Sequence, residues 1–415
     1  MKLLCRKRKK IGNMRVKIIV VLSILCSALI TALAFGFDNV AYASDKADME
    51  EVEEQLKSAV GEAIDTIDLS ALEEYLNSMS STARQATFIN NLKNTLKALV
   101  NGESKTFYQE FANLVAKSAG EYFLGFIPSF VTVIIICILN GILSGMSADF
   151  ASKSTSEVAH IMCYCAVIIV IMSGILSIVK TVSDTMKALT GFANAIFPVL
   201  LTLLSMLGGA SVVATYSPLM AILCGFIMKL ISSAVLPAFV ATIIFSIVGN
   251  ISQTVKLDKL TKLVKSASTW LIGIVFGIFA SFLTAQGITG GVADKFGFNI
   301  AKFALSSYVP ILGGYLSDGI DLLSASLVLV KNALGYTGVL ILMGTVLFPI
   351  LKIITFSLAM RLTSAVAEPI GDGRVSALLH SVAGSLNLLI TALAGVAFMF
   401  FLLIMLLIGS CNMGI

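Results

Sequence analysis

From Ile127 to Ile415 the chain alternates long apolar stretches with short polar breaks, and only 23 of these 289 residues are Asp, Glu, Lys or Arg. About 20 apolar residues make a membrane-crossing helix, because a helix rises about 1.5 Å per residue against about 30 Å of hydrocarbon. The pattern predicts eight spans: Ile127 to Met146, Val158 to Val179, Phe192 to Leu207, Pro218 to Leu236, Ala238 to Ile251, Trp270 to Ala285, Val339 to Met360 and Leu386 to Gly409. The block from Phe192 to Ile251 is ambiguous. Its runs fall short of a full crossing, and it has room for two or three.

Residues 44–126 read differently. They carry 14 acids and 7 bases, with apolar residues at helical spacing: Val52, Leu56, Ala59, Ala63 and Ile67, then Phe88, Leu92, Leu96 and Leu99. Breaks are expected at Ser78 to Thr82 and at Asn101-Gly102. The amphipathic helices between them fit either a self-contained bundle or a surface that docks on a partner, and their acidity argues against anionic lipid. Residues 1–43 show a basic stretch to Lys17, an apolar run from Ile18 to Phe37 and Ala41-Tyr42-Ala43, the order of a secretory signal peptide cleaved after Ala43. The long apolar run also fits an uncleaved anchor; both readings put Ser44 outside the cytoplasm.

The expected architecture is therefore all-α: a signal peptide at 1–43, a small extracytoplasmic acidic helical segment at 44–126 and a polytopic helical membrane domain at 127–415. Composition agrees, with 57% hydrophobic and 13% charged residues against about 45–50% and about 25% in globular chains. This apolar content excludes disordered, collagen-like and disulfide-scaffold classes. The net charge of +5 belongs to the leader: eight bases and one acid precede Ser44, leaving 21 bases against 23 acids. The basic pI thus says nothing of nucleic acid, and the expected partner surface is the lipid bilayer.

Orientation follows from the placement of Lys and Arg. With Ser44 outside, Ser147 to Glu157 fall inside. Three crossings in the ambiguous block also put Lys256, Lys259, Lys262 and Lys265 inside, and Arg361, Arg374 and His380 follow after the Val339 span. Lys180 and Lys187 fall outside against the rule, with Asp184 between them.

Two stretches interrupt the apolar pattern in ways that matter chemically. Tyr308 to Asp321 contains Pro310 and the pair Gly313-Gly314, which predict a helix break whose freed backbone groups need protein or water partners. If the helix resumes at Ser317, Asp318 and Asp321 share a face and line a polar pathway, or Asp318 caps the next helix. Earlier, Pro198, Gly208-Gly209 and Pro218 mark a second break, and two such interrupted segments point to a repeat enclosing a site. Lys229 and Lys352 fall near the middle of apolar runs, where an ammonium snorkels, meets water or pairs with a carboxylate. Small residues at helical spacing, Gly141 with Gly145, Ser173 with Ser177 and Gly273 with Gly277, predict close helix packing.

No phosphate loop ending in Gly-Lys-Ser/Thr and no His-Glu-x-x-His occurs in the chain, so no enzyme or cofactor chemistry is expected. His160 and His380 stand far apart, and Cys163-Tyr164-Cys165 lacks metal-ligand spacing, so no metal is expected either.

The run Tyr308 to Lys331, the segment Phe348-Pro349-Ile350-Leu351-Lys352-Ile353 and Ala367-Glu368-Pro369-Ile370-Gly371-Asp372 resemble the stage III sporulation protein AE family of endospore-forming bacteria. The likeness is strongest from Ala301 to Gly384, and the leader and acidic segment match only in general character. The resemblance implies a multi-pass protein of the outer forespore membrane, made in the mother cell. It also implies partnership with the other stage III A-operon membrane proteins, a secretion-type ATPase and a forespore channel partner, in a secretion-like complex joining mother cell and forespore. The role expected is that of a channel or permease-like subunit, with a non-conducting scaffold as the alternative. The family supplies no catalytic residues to carry over.

Overall fold

The computed structural model describes residues 46–410 except 80, 82–83, 85–86, 88, 90, 101–106, 151–152, 252–256, 290–312 and 371–372. The leader and Pro310 lie outside the described residues. Every regular element among those described is helical. Three short helices come first: α1 (Lys46–Thr66), α2 (Ser70–Ser78) and α3 (Leu92–Val100). Then follow α4 (Phe107–Phe150), α5 (Lys153–Met206), α6 (Ala210–Leu230), α7 (Leu236–Ile251), α8 (Asp258–Thr289), α9 (Gly313–Ile370) and α10 (Gly373–Gly409).

Six apolar helical stretches among the described residues are long enough to cross a bilayer: Asn113–Ile142, His160–Met206, Gly225–Ile251, Asp258–Leu283, Asp321–Pro369 and Gly373–Gly409. The expected count of eight falls to six for two physical reasons. The runs Val158 to Val179 and Phe192 to Leu207 lie on one uninterrupted helix, because Pro198 does not break α5. The runs Pro218 to Leu236 and Ala238 to Ile251 are joined by a π-helical turn at Ile231–Val235, through which Leu236 N–H reaches Ile231 O. Pro237 follows immediately. Its ring would clash with a preceding carbonyl in a regular α-helix, and the wider turn absorbs it without ending the helix.

Gly208-Gly209 is a true break, and it is a helix end. Gly208 has φ 80°, its N–H bonds Ser205 O at 3.1 Å, and Gly209 N–H bonds Leu204 O at 3.0 Å. These paired bonds close the last turn of α5 and favour glycine at the left-handed position.

At the centre α9 and α10 run antiparallel in close contact. Ser357 Oγ donates to Ala383 O at 3.2 Å, and Ser364 and Ser376 each donate to the other's carbonyl, at 2.9 and 3.0 Å. On the other side of α9 lies α5, also antiparallel, with Gly174 against Phe356 and Gly338 against Ile196. Phe126 and Phe130 of α4 pack on the same Phe356 ring, with centroids 4.9 and 5.6 Å away. Helices α7 and α8 flank α10 through Ser246 on Ser381 and Phe276 on Phe398. The contacts Tyr164–Ile247, Lys265–Ser381 and Ser364–Ser376 gather the starts of α5, α8 and α10 and the ends of α7 and α9 at one end of the bundle. That end carries Lys259, Lys262, Lys265, Arg361 and Arg374, the residues expected to share the cytoplasmic side.

The helices α5 and α9 hold 54 and 58 residues, about 81 and about 87 Å at about 1.5 Å per residue. That is more than twice the hydrocarbon thickness, so part of each needs protein cover rather than lipid. In α5, Val158, Ile161, Met162, Ile169 and Leu176 are exposed in the first half, whereas Phe192, Ile196, Leu200 and Leu203 in the second are fully buried.

The acidic segment docks on these helices: α1 and α3 lie against α9, and α2 against α5. The expected break at Ser78 to Thr82 begins where α2 ends, at Ser78, whereas Asn101-Gly102 lie outside the described residues, and a break between Thr66 and Ser70 that the pattern does not predict separates α1 from α2. The buried stripe of α1 centres on Val60 and Ile64, flanked by the expected Ala59, Ala63 and Ile67. Lys93 and Lys97 of α3 bracket Asp65 of α1, both at 3.6 Å, an exposed pair of bridges that adds little.

Candidate functional site

Midway along α5 the apolar surface is interrupted by Lys180 to Thr190, and there α5 faces the middle of α9 and the docked helix α2. A cleft of about 590 Å³ opens at this junction, lined by Tyr75 and Ser78 of α2, Tyr122 of α4, Thr181, Asp184 and Lys187 of α5, and Thr345 and Lys352 of α9. Continuity of α5 is what creates it. A loop at Lys180 would have released these polar side chains to water, whereas a helix presents Thr181, Asp184 and Thr185 on adjoining positions toward its neighbours.

Lys352 anchors the floor. Its half-buried ammonium donates to Thr181 Oγ1 at 3.0 Å and to Ser177 Oγ at 3.3 Å, and no carboxylate pairs with it among the described residues. Thr181 Oγ1 gives its own hydrogen to Ser177 O at 2.8 Å, so it meets the lysine as an acceptor. On the opposite wall Tyr75 Oη and Thr345 Oγ1 are 3.0 Å apart. Thr345 spends its hydrogen on Ile341 O at 2.8 Å, which makes Tyr75 the donor. Burial pushes the Tyr75 phenol above its ordinary value, with the Thr345 bond opposing, so it stays protonated in that role. At the rim Lys187 and Asp184 stand 3.8 Å apart, both well exposed.

The other residues predicted for a polar pathway do not join Lys352. Asp318 and Asp321 lie in the opening turns of α9, which starts at Gly313 and runs on through Gly314 without a further break. Asp321 is exposed and 31 residues from Lys352, about 46 Å along the helix; the side chain of Asp318 lies outside the described residues. Lys229 is exposed near the end of α6. Pro198 sits inside α5, and Gly208 and Gly209 close its end, away from the cleft.

Two further lysines are used structurally. Lys331 of α9 is fully buried, with its ammonium donating to the Ser410 carbonyl just past α10. Lys265 of α8 donates to Ser381 O at 3.3 Å, beside the Ser246–Ser381 hydroxyl pair. Sequence reasoning used Lys265 only for orientation and Lys331 only as the end of a matching run, since each lies near an end of its apolar stretch.

A bundle of six apolar helices around a polar junction defines a multi-span α-helical membrane protein. Residues 90–411 match the family described as stage III sporulation protein AE, and the chain belongs to that family. It is 27% identical over 321 residues to the stage III sporulation protein AE of Bacillus subtilis (strain 168), across 77% of this chain and 80% of that relative. No solved structure matches it. Family membership gives this membrane protein a role in sporulation.

Proposed function

We propose that the protein is a channel or permease-like membrane subunit of a secretion-like complex connecting mother cell and forespore. Its place in this reading is the outer forespore membrane. Its partners are the other stage III A-operon membrane proteins, a forespore channel partner and a separate secretion-type ATPase, and the subunit itself performs no catalysis. The observation that carries the reading is Lys352: a half-buried ammonium, held among the described residues by hydroxyls of α5 alone, facing a cleft between two helices too long for one bilayer. A charge in such a place is costly unless it serves a polar path or a bound group.

The scaffold reading draws on a different feature, the docking of α1, α2 and α3 on α9 and α5, which leaves acidic side chains such as Glu62 and Glu73 exposed for a partner. One experiment separates the two. In sporulating cells Lys352→Met should leave membrane accumulation and complex assembly intact while forespore development fails. Normal development with Lys352→Met would remove the support for conduction and favour the scaffold.

A further inference from the structure

We propose that the cleft at Lys352 binds a small anion, a carboxylate or a phosphate, with the lysine ammonium as its principal contact. This goes beyond the reading above, because a bound anion can hold the junction together whether or not the subunit conducts.

The argument begins with charge. The cleft walls carry Lys352, Lys187 and Asp184, a net charge of +1, and the one carboxylate is engaged by Lys187 at the rim. Among the described residues the deeper cation therefore has hydroxyl partners only. Hydroxyl oxygens orient an ammonium without neutralising it, and partial burial strengthens its pull on an anion relative to bulk water.

Hydrogen counting points the same way. An ammonium has three N–H donors. Two are accounted for by Thr181 Oγ1 and Ser177 Oγ, leaving one for a ligand. The opposite wall is already satisfied internally, since Tyr75 donates to Thr345. A volume of about 590 Å³ lies within the roughly 300–1,000 Å³ typical of small-molecule sites. Two sources of anion fit this chemistry, a soluble carboxylate or phosphate and the phosphate of a lipid headgroup.

The test uses the full chain in phosphatidylcholine nanodiscs, following the thermal unfolding midpoint as chloride is exchanged for inorganic phosphate or succinate at constant ionic strength. A ligand that binds the folded state raises the midpoint. Phosphate or succinate should do so in the wild type and in Lys229→Met, whose lysine is exposed on α6, and should fail to do so in Lys352→Met. Asp184→Asn removes the competing carboxylate and frees Lys187, so its half-maximal response should come at an about threefold lower anion concentration. If Lys352→Met does not fold, Asp184→Asn decides, and an unchanged concentration dependence overturns the proposal. Discs containing phosphatidylglycerol identify the source. A raised starting midpoint that no longer responds to soluble phosphate, and that depends on Lys352, assigns the site to a headgroup. A wild-type midpoint indifferent to all three anions, or a full response in Lys352→Met, sinks the proposal. An intact anion response in a subunit that proves non-conducting sinks only the conducting reading.

Discussion

Gly174 of α5 lies directly beneath the ring of Phe356 of α9: a Cβ at position 174 would stand 2.6 Å from Cε2 and 2.7 Å from Cζ. The ring has little freedom to move aside, because Phe126 and Phe130 of α4 hold it at 4.9 and 5.6 Å. Three helices thus meet at a point where only glycine fits. In a bilayer, where no hydrophobic effect favours helix contact over lipid, such close fits carry much of the association.

Gly174→Ala should therefore destabilise the bundle by about 1–3 kcal/mol, the usual cost of overpacking. Gly273→Ala and Gly277→Ala should cost nothing measurable, since nothing lies within 4 Å of a Cβ built at either. Unfolding in detergent, with the three variants in parallel, checks the contrast. Equal stability of all three would mean that α4 yields to let the ring turn.

Tyr75 ties the acidic segment to the membrane helices. It hydrogen-bonds Thr345, and its ring lies 5.8 Å from that of Phe192. Tyr75→Phe keeps the ring and loses one neutral hydrogen bond, worth about 0.5–1.5 kcal/mol. Tyr75→Ala also opens a cavity, at about 3–5 kcal/mol by analogy with large aromatic truncations. Limited proteolysis should find the connection after Ser78 little changed in the first variant and cut much faster in the second.

The difference between what was readable in the sequence and what was not follows from these contacts. Helical class, the end at Ser78 and the glycine end at Gly208-Gly209 are local matters of periodicity and backbone freedom, so they show in the sequence. Whether α5 continues through Lys180 to Thr190 is not local. Hydropathy reads that stretch as a loop, and only packing on α2 and α9 makes a polar turn tolerable in mid-helix. The same holds for Lys352, conspicuous as a charge in an apolar run, whose partners Ser177 and Thr181 lie on another helix. Glycines were misread for a related reason. Spacing singles out Gly273 and Gly277, but the close approaches are at Gly174, Gly335 against Ile408 and Gly338 against Ile196, set by which face of each helix meets a neighbour.

Lys331 places a buried cation at the carboxyl end of α10, where carbonyls left without intrahelical partners make the pole negative. Lys331→Glu reverses the sign at that pole and buries an opposed charge, so the protein should fail to accumulate in the membrane. Lys331→Met removes the charge at similar volume and should be far milder. Immunoblotting of membrane fractions compares the two, and equal abundance would show that the carbonyl end is not what the lysine serves.

With the six apolar helices as crossings and Ser44 outside, as the leader predicts, the topology is definite. The ends of α7 and α9 and the starts of α5, α8 and α10 then face the cytoplasm, and the Gly208-Gly209 turn faces out. A cysteine at exposed Leu260 should resist a membrane-impermeant maleimide added from outside, and one at exposed Met206 should react. The three native cysteines described, Cys137, Cys163 and Cys165, are replaced first, together with the other four in the chain. Labelling of Leu260→Cys from outside would invert the orientation.

Ser364 and Ser376 look like a coupled pair, with their hydroxyl oxygens 3.1 Å apart inside the α9–α10 interface. The hydrogens say otherwise. Each hydroxyl has one, and each sends it to the other residue's backbone carbonyl, at 2.9 and 3.0 Å. Replacing one serine by alanine leaves its carbonyl in place as the acceptor for the survivor. Each single change should therefore cost about 0.6 kcal/mol, the average for hydrogen bonds between membrane helices. The double change should cost their sum, with a coupling energy below about 0.5 kcal/mol despite direct contact. A double-mutant cycle on detergent unfolding measures it, and a coupling above about 1 kcal/mol would mean that one hydroxyl donates to the other rather than to the backbone.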